Sequence, residues 1–167
     1  MPIIIARVPT SAGDFGAVVT PNGLARLTFP DEPFELCQAW VQRWEPGAEV
    51  TDAGPGLAPV ATQLAAYFDR SLQVFDLPLD MRGTPFQKEV WQALTAIPFG
   101  ATCSYGQIAE RIGRPKAVRA VGAANGANPV PVIVPCHRVI GSNGKLTGYA
   151  GGLELKQRLL ELEGRFA

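Results

Sequence analysis

Turn-forming residues cut the first thirty positions of this chain into short apolar runs, and this punctuation constrains the fold before any single side chain is considered. Ser11-Ala12-Gly13-Asp14 separates Ile3 to Val8 from Phe15 to Val19, and Pro21-Asn22-Gly23 separates that run from Leu24 to Phe29. Runs of this length divided by Asn-Gly and Gly-Asp pairs predict an antiparallel meander. The pattern then changes period. Pro33-Phe34 to Trp44 reads as a helix, and Leu57 to Arg70 as an amphipathic one with Val60, Leu64, Ala65 and Phe68 at three- and four-residue spacing. Residues 46–56, rich in Gly, Pro and Asp, read as loop. A strand over Gln73 to Phe75 completes a small α+β domain of residues 1–80, and Asp76 to Pro85 reads as linker.

The second half, residues 81–167, reads as short helices and loops. Thr84 is placed to cap a helix from Pro85 to about Ala96 that turns Phe86, Val90, Trp91 and Leu94 inward. Ser104 caps the next, Tyr105 to Ile112. Gly113-Arg114-Pro115 breaks it, and an alanine-rich helix runs from Lys116 to about Asn125. Helix, short glycine-containing turn, helix is the layout of a helix-turn-helix. A final helix spans Leu153 to Leu162. The expected class is therefore α+β: a small antiparallel sheet with helices, then a mostly helical domain.

Several broad roles are disfavoured. The longest N-terminal apolar stretch, Ile3-Ile4-Ile5-Ala6, lacks the basic leader of a secretory signal, and no run approaches the length of about twenty residues that crosses a bilayer. Cys37, Cys103 and Cys136 are odd in number and far apart, which points away from a disulfide framework and towards the cytoplasm. With no CxxC or HxxxH spacing, no metal site is expected, and no cofactor motif is evident.

The net charge of zero hides an asymmetry. Residues 1–80 carry four Lys and Arg against ten Asp and Glu, whereas residues 81–167 carry eleven against five. A polyanion would approach the second half and be repelled by the first. The helix from Lys116 to Asn125 carries small residues and one mid-helix charge, Arg119. That surface suits close approach to a minor groove with one inserted side chain better than base-sequence readout in a major groove.

The chain's only histidine directly follows a cysteine in Val134-Pro135-Cys136-His137-Arg138-Val139-Ile140. A thiol becomes a nucleophile when its proton is taken, and imidazole suits that task near neutral pH. The apolar flanks place the pair on or under a core. A buried thiol beside a satisfied histidine is the competing structural explanation.

These pieces occur together with Gly83-Thr84-Pro85-Phe86-Gln87, Val90-Trp91, Ile97-Pro98-Phe99-Gly100, Ser104-Tyr105-Gly106, Arg119-Ala120-Val121-Gly122, Asn128-Pro129 and Gly148-Tyr149-Ala150-Gly151-Gly152-Leu153. In that order, from about residue 82 to 164, the chain closely resembles the methylated-DNA–protein-cysteine methyltransferases, or O6-alkylguanine-DNA alkyltransferases. The first half resembles them only in outline.

The resemblance implies a ribonuclease H-like first domain and a winged-helix-like second one that binds double-stranded DNA through the minor groove. It implies transfer of an alkyl group from O6 of guanine, and less efficiently from O4 of thymine, onto Cys136. His137 would take the thiol proton through a water, Glu163 would orient the histidine, and Asn128 would tie the loop before the cysteine to the helix bearing Arg119. Tyr105 would protonate the leaving guanine and help rotate the nucleotide out, with Arg119 filling the vacated stack. Arg114 and Ser142 would hold phosphates, and Gly106, Ala120 and Gly122 would share the DNA-facing surface. Val139, Tyr149, Ala150 and Gly151 would wall the base pocket. A thioether has no good leaving group, so each molecule would act once.

Three alternatives follow from the same features. A non-repairing alkyltransferase-like lesion binder would lack the reactive cysteine. A helix-turn-helix regulator would need base-reading side chains on residues 116–125. A cysteine hydrolase would turn over on esters or amides.

Overall fold

The computed structural model describes residues 1–146, 149 and 151–164. It divides into two compact units, Met1–Arg82 and Gly83–Ala167.

In the first unit, β1 (Ile3–Thr10), β2 (Gly13–Thr20) and β3 (Gly23–Thr28) form the antiparallel meander, with Ile4 opposite Val19 and Thr10 opposite Gly13. Gly13 and Gly23 have φ of 117° and 140°, so the two tight turns sit where side chains are disfavoured. The sheet is not wholly antiparallel. Val50 and Thr51, within the stretch read as loop, form β4 (Val50–Thr51), which pairs parallel to β1 and gives the order β3-β2-β1-β4. Two β-branched residues and a bond from the Ile3 amide to the Glu49 carbonyl, 2.8 Å, override the loop-like composition.

Helices α1 (Glu35–Trp44) and α2 (Leu57–Phe68) cover the two faces of the sheet. Ile3, Val18 and Ala25 meet Cys37, Trp40 and Val41 of α1. On the other face, Phe15, opposite Val8 in the ladder, stacks on Phe68 of α2 at 5.5 Å. Double coverage explains why β2 is buried continuously from Phe15 to Thr20 instead of alternating.

Gln73 to Phe75 does not form a strand. The Gln63 side chain takes both Asp76 backbone groups, donating to its carbonyl at 2.9 Å and accepting from its amide at 2.8 Å, while Val74 is left exposed. The segment read as linker is instead pinned to this unit. Leu79 bridges Leu24, the Thr20 hydroxyl bonds Asp80, and Arg82 pairs with Asp80 and Glu45 at 3.0 Å each.

In the second unit, α3 (Pro85–Thr95) and α4 (Tyr105–Arg111) each start in a complete capping box. Thr84 pairs reciprocally with Gln87, and Ser104 with Gln107. Strand β5 (Cys103–Ser104) precedes α4. Gly113, at φ 75°, turns the chain between α4 and α5 (Val118–Gly126), which begins two residues later than Lys116 because Lys116 and Ala117 belong to the turn. The Trp91 indole donates to the Ala124 carbonyl at 2.8 Å, locking α3 to α5. After a single 3-10 turn at Cys136–Arg138, β6 (Val139–Ile140) pairs parallel with β5, and α6 (Leu153–Leu162) closes the unit. Among the described residues no helix is long and apolar enough to cross a membrane.

Candidate active site

The loop between α5 and the 3-10 turn is built by one side chain. Asn128 donates from Nδ2 to the Val134 carbonyl at 2.8 Å and accepts the Val130 amide on Oδ1 at 3.0 Å, so it staples the loop across its neck. Inside that loop Val132 has φ 74°, a left-handed conformation that a β-branched residue adopts only when its surroundings impose it. Pro135, at φ −82° and ψ 65°, forms an inverse γ-turn, closed by the Cys136 amide donating to the Val134 carbonyl at 2.8 Å. This turn delivers Cys136 at the head of the 3-10 turn, 5% exposed.

Burial pushes the Cys136 thiol pKa up from its ordinary value. The polar Asn128 and Tyr149 side chains, the Lys156 charge and the cysteine's own backbone amide all pull it back down. The site therefore holds a protonated thiol with groups in place to stabilise the thiolate once the proton leaves.

His137 is fully buried, and its Nε2 lies 2.8 Å from Glu163 Oε2. Its Nδ1 makes no hydrogen bond to a described protein atom. With Nε2 committed to a carboxylate, Nε2 carries the hydrogen and Nδ1 is the free acceptor, the atom that would receive a proton. Desolvation lowers the His137 pKa, Glu163 opposes this, and Arg138 and Lys156 reinforce it. A neutral imidazole, able to act as a base, is the resting form.

Two residues of this cluster escaped the sequence reading as site groups. Arg138 is buried and bonds Glu163 through Nε to Oε1 at 2.8 Å and Nη2 to Oε2 at 2.9 Å. Lys156 on α6 is also buried, donates from Nζ to the Val139 carbonyl at 2.6 Å, and has its pKa lowered to about 8 by desolvation, which the Cys136 charge opposes. The Lys156 signal was present in the periodicity. Lys156 shares the inward stripe of α6 with Leu159, Leu160 and Glu163, and a lysine on an apolar stripe marks a buried amine.

The structure brings Cys136, His137, Glu163, Asn128 and Tyr149 together. Tyr105 opens α4 beside Gly122 of α5, where an added Cβ would lie 3.9 Å from the phenol ring. Gly106 is the next residue of α4. Arg114, Arg119, Ala120 and Ser142 are exposed. Arg114 lies 3.5 Å from Glu89 and over the Phe86 ring. Val139 is fully buried, with its carbonyl held by Lys156, and Gly151 is buried. Ala150 lies outside the described residues. Among the described residues no group of three or more His, Cys, Asp and Glu is arranged to hold a metal.

A buried thiol backed by a histidine and a carboxylate, in a unit where α4 and α5 are joined by a short glycine-containing turn, defines a class of protein equipped for nucleophilic chemistry at a cysteine. The family model of the 6-O-methylguanine DNA methyltransferase DNA-binding domain matches residues 85–165. A methylated-DNA–protein-cysteine methyltransferase of Mycolicibacterium paratuberculosis is 50% identical over 91% of this chain and 93% of its own length. The crystal structure of Mycobacterium tuberculosis O6-methylguanine methyltransferase superposes with a TM-score of 0.83 at 42% identity, covering 99% of this chain and 94% of that one. The M. tuberculosis OGT in complex with DNA superposes at 0.82 with 43% identity, covering 95% and 91%. The chain belongs to the methylated-DNA–protein-cysteine methyltransferases, enzymes of direct DNA repair.

Proposed function

We propose that Cys136 is the single-use acceptor of this enzyme, taking a methyl or other alkyl group from O6 of a guanine rotated out of the duplex. The observation that carries this reading is the buried Cys136–His137–Glu163 array. It combines a nucleophile, a base with one free ring nitrogen and a carboxylate that fixes the tautomer.

His137 Nδ1 accepts the thiol proton through a water, since side chains of adjacent residues diverge. The thiolate attacks the sp³ carbon, the Sγ–C bond forms, and the C–O6 bond breaks with its electron pair left on the guanine. The Tyr105 phenol supplies the proton that neutralises this leaving group. Asn128 and Tyr149 support the thiolate. The product is a thioether, so one equivalent is transferred per molecule.

The DNA side of the reading rests on α5. Its exposed face carries Arg119 and Ala120, and the Tyr105 ring lies beside Gly122 of the helix. Small residues around one long cation suit a minor groove and an inserted arginine that fills the vacated stack. Arg114 would exchange Glu89 for a phosphate, and Ser142 would hold another. Tyr149 and Gly151 would line the base pocket, while Val139 would bound it through its backbone. The same reading makes the first unit ribonuclease H-like and the second winged-helix-like. Free thiols suit a reducing, cytoplasmic setting.

Intact-mass measurement after incubation with an oligonucleotide containing O6-methylguanine tests the reading. One added methyl on the peptide holding Cys136 is expected, with no further transfer after one equivalent. Multiple turnovers, or a methyl elsewhere, would refute it. An unmodified protein that still binds the lesion would point to a non-repairing lesion binder.

A further inference from the structure

The segment Ile97-Pro98-Phe99-Gly100 contributes no reacting group to the alkyl transfer. It follows α3 and lies against the back of the catalytic array. Arg138 Nη1 donates to the Ile97 carbonyl at 2.7 Å, and the guanidinium carbon sits 5.8 Å from the Phe99 ring centre. Gly100 has φ 81°, and a Cβ there would lie 3.2 Å from the Glu163 carbonyl oxygen. The turn is thus shaped around Arg138 and Glu163 together.

We propose that Arg138, seated on this turn, is the positioning residue that fixes Glu163 against His137 and keeps the imidazole neutral until Cys136 gives up its proton. The proposal deepens the reading of Cys136 as acceptor and rests on it.

The geometry carries it. A carboxylate held by one histidine can rotate about its own axis, whereas here both oxygens are held. Oε1 accepts Arg138 Nε, and Oε2 accepts both Arg138 Nη2 and His137 Nε2. The planar fork of an arginine sets the carboxylate plane, which a lysine cannot do. With its third arm on the Ile97 carbonyl, Arg138 connects the turn after α3, the 3-10 turn and the end of α6.

Charge balance gives the second half of the argument. Glu163 brings one negative charge, and Arg138 is always cationic. An imidazolium at His137 would place a second cation on the same carboxylate in a fully buried site, with the Lys156 ammonium adding repulsion. Glu163 and Lys156 from the α6 segment and Arg138 from the histidine's own turn are the charged groups that act on His137, with the Cys136 thiol beside it. Removing the Arg138 charge leaves Glu163 free to favour the imidazolium.

Because His137 is the chain's only histidine, its titration can be followed by NMR of the imidazole carbon-bound protons, without DNA and without alkyl transfer. The wild-type midpoint is expected below the ordinary histidine range of about 6.5. Arg138→Gln is expected to raise it by about one pH unit or more, and to carry the acid limb of the alkyl-transfer pH profile upward with it. Arg138→Lys, which keeps the charge but loses the fork, should stay near the wild-type midpoint yet transfer alkyl groups more slowly. An Arg138→Gln midpoint equal to wild type overturns the proposal, as does a uniformly slower pH profile with no displaced limb. If Arg138→Gln does not fold, a wild-type midpoint above the ordinary range, or an Arg138→Lys rate equal to wild type, overturns it. Loss of alkyl transfer in the wild type with the titration shift intact would instead count against Cys136 as acceptor.

Discussion

Among the described residues the first unit buries two polar side chains, Thr20 and Thr28, both spent on hydrogen bonds within the sheet and its edge. The second unit buries Asn125, Asn128, His137, Arg138, Lys156 and Glu163. Taking an ionisable group out of water costs several kcal/mol even after relaxation, and its partner rarely returns more than that. A fold selected for stability alone has no reason to gather four such groups around one thiol. The first unit shows what this chain does when packing is the only demand, with sheet faces filled by Val8, Phe15, Leu27, Leu64 and Tyr67. The second shows what it accepts when a proton must be taken from a buried sulfur.

The contrast can be broken most directly at the thiol. Cys136→Ala is expected to abolish alkyl transfer in a mass assay while leaving binding to lesion DNA intact in a gel-shift assay. Residual transfer would move the chemistry to another residue. Leu64→Ala, in the core of the first unit, is expected to cost about 2–5 kcal/mol in denaturant unfolding while leaving the transfer rate per folded molecule unchanged. A slower rate at full folding would end the separation of scaffold from chemistry.

A smaller effect distinguishes the units by pH. The folded-state pKa of His137 lies below its unfolded value, so between the two the unfolded chain binds the proton that the folded one refuses. Stability present above about pH 6.5 is therefore lost as pH falls, with a limiting slope of about 1.4 kcal/mol per pH unit. Thermal melts between pH 7.5 and 5.5 should show this slope, and His137→Gln should flatten it. The smallest effect is at a helix start. Thr84→Ala removes one half of a capping box and should cost about 1 kcal/mol in chemical unfolding, with no change in DNA affinity.

How far these features could be read from sequence follows the range of the forces involved. Capping is local, so Thr84 and Ser104 were legible three residues from their Gln partners. Leu153 to Leu162 was legible because its stripe repeats within one helix. Val50 and Thr51 were not, because their pairing with Ile3 and Ile4 is a contact across almost fifty residues that leaves no periodic trace in so short a strand. Gln73 to Phe75 misled for the converse reason, since the backbone groups that follow it were taken by a distant side chain, Gln63. Within the site, Cys136 and His137 announce themselves by adjacency. Glu163 came from the resemblance, and the role of Arg138 depends on three carbonyl and carboxylate partners that only the tertiary fold assembles.

The short parallel ladder of Cys103–Ser104 on Val139–Ile140 joins the start of the Tyr105 helix to the chain leaving the Cys136 turn. On the proposed reading, one side of that ladder carries the group that protonates the leaving base and the other carries the sulfur that takes its alkyl group. The ladder works as a gauge block. Main-chain pairing holds the backbone that leads into Tyr105 against the backbone that leaves Cys136, so variation in the pocket walls can change which adducts enter without moving the two segments that carry the reacting groups.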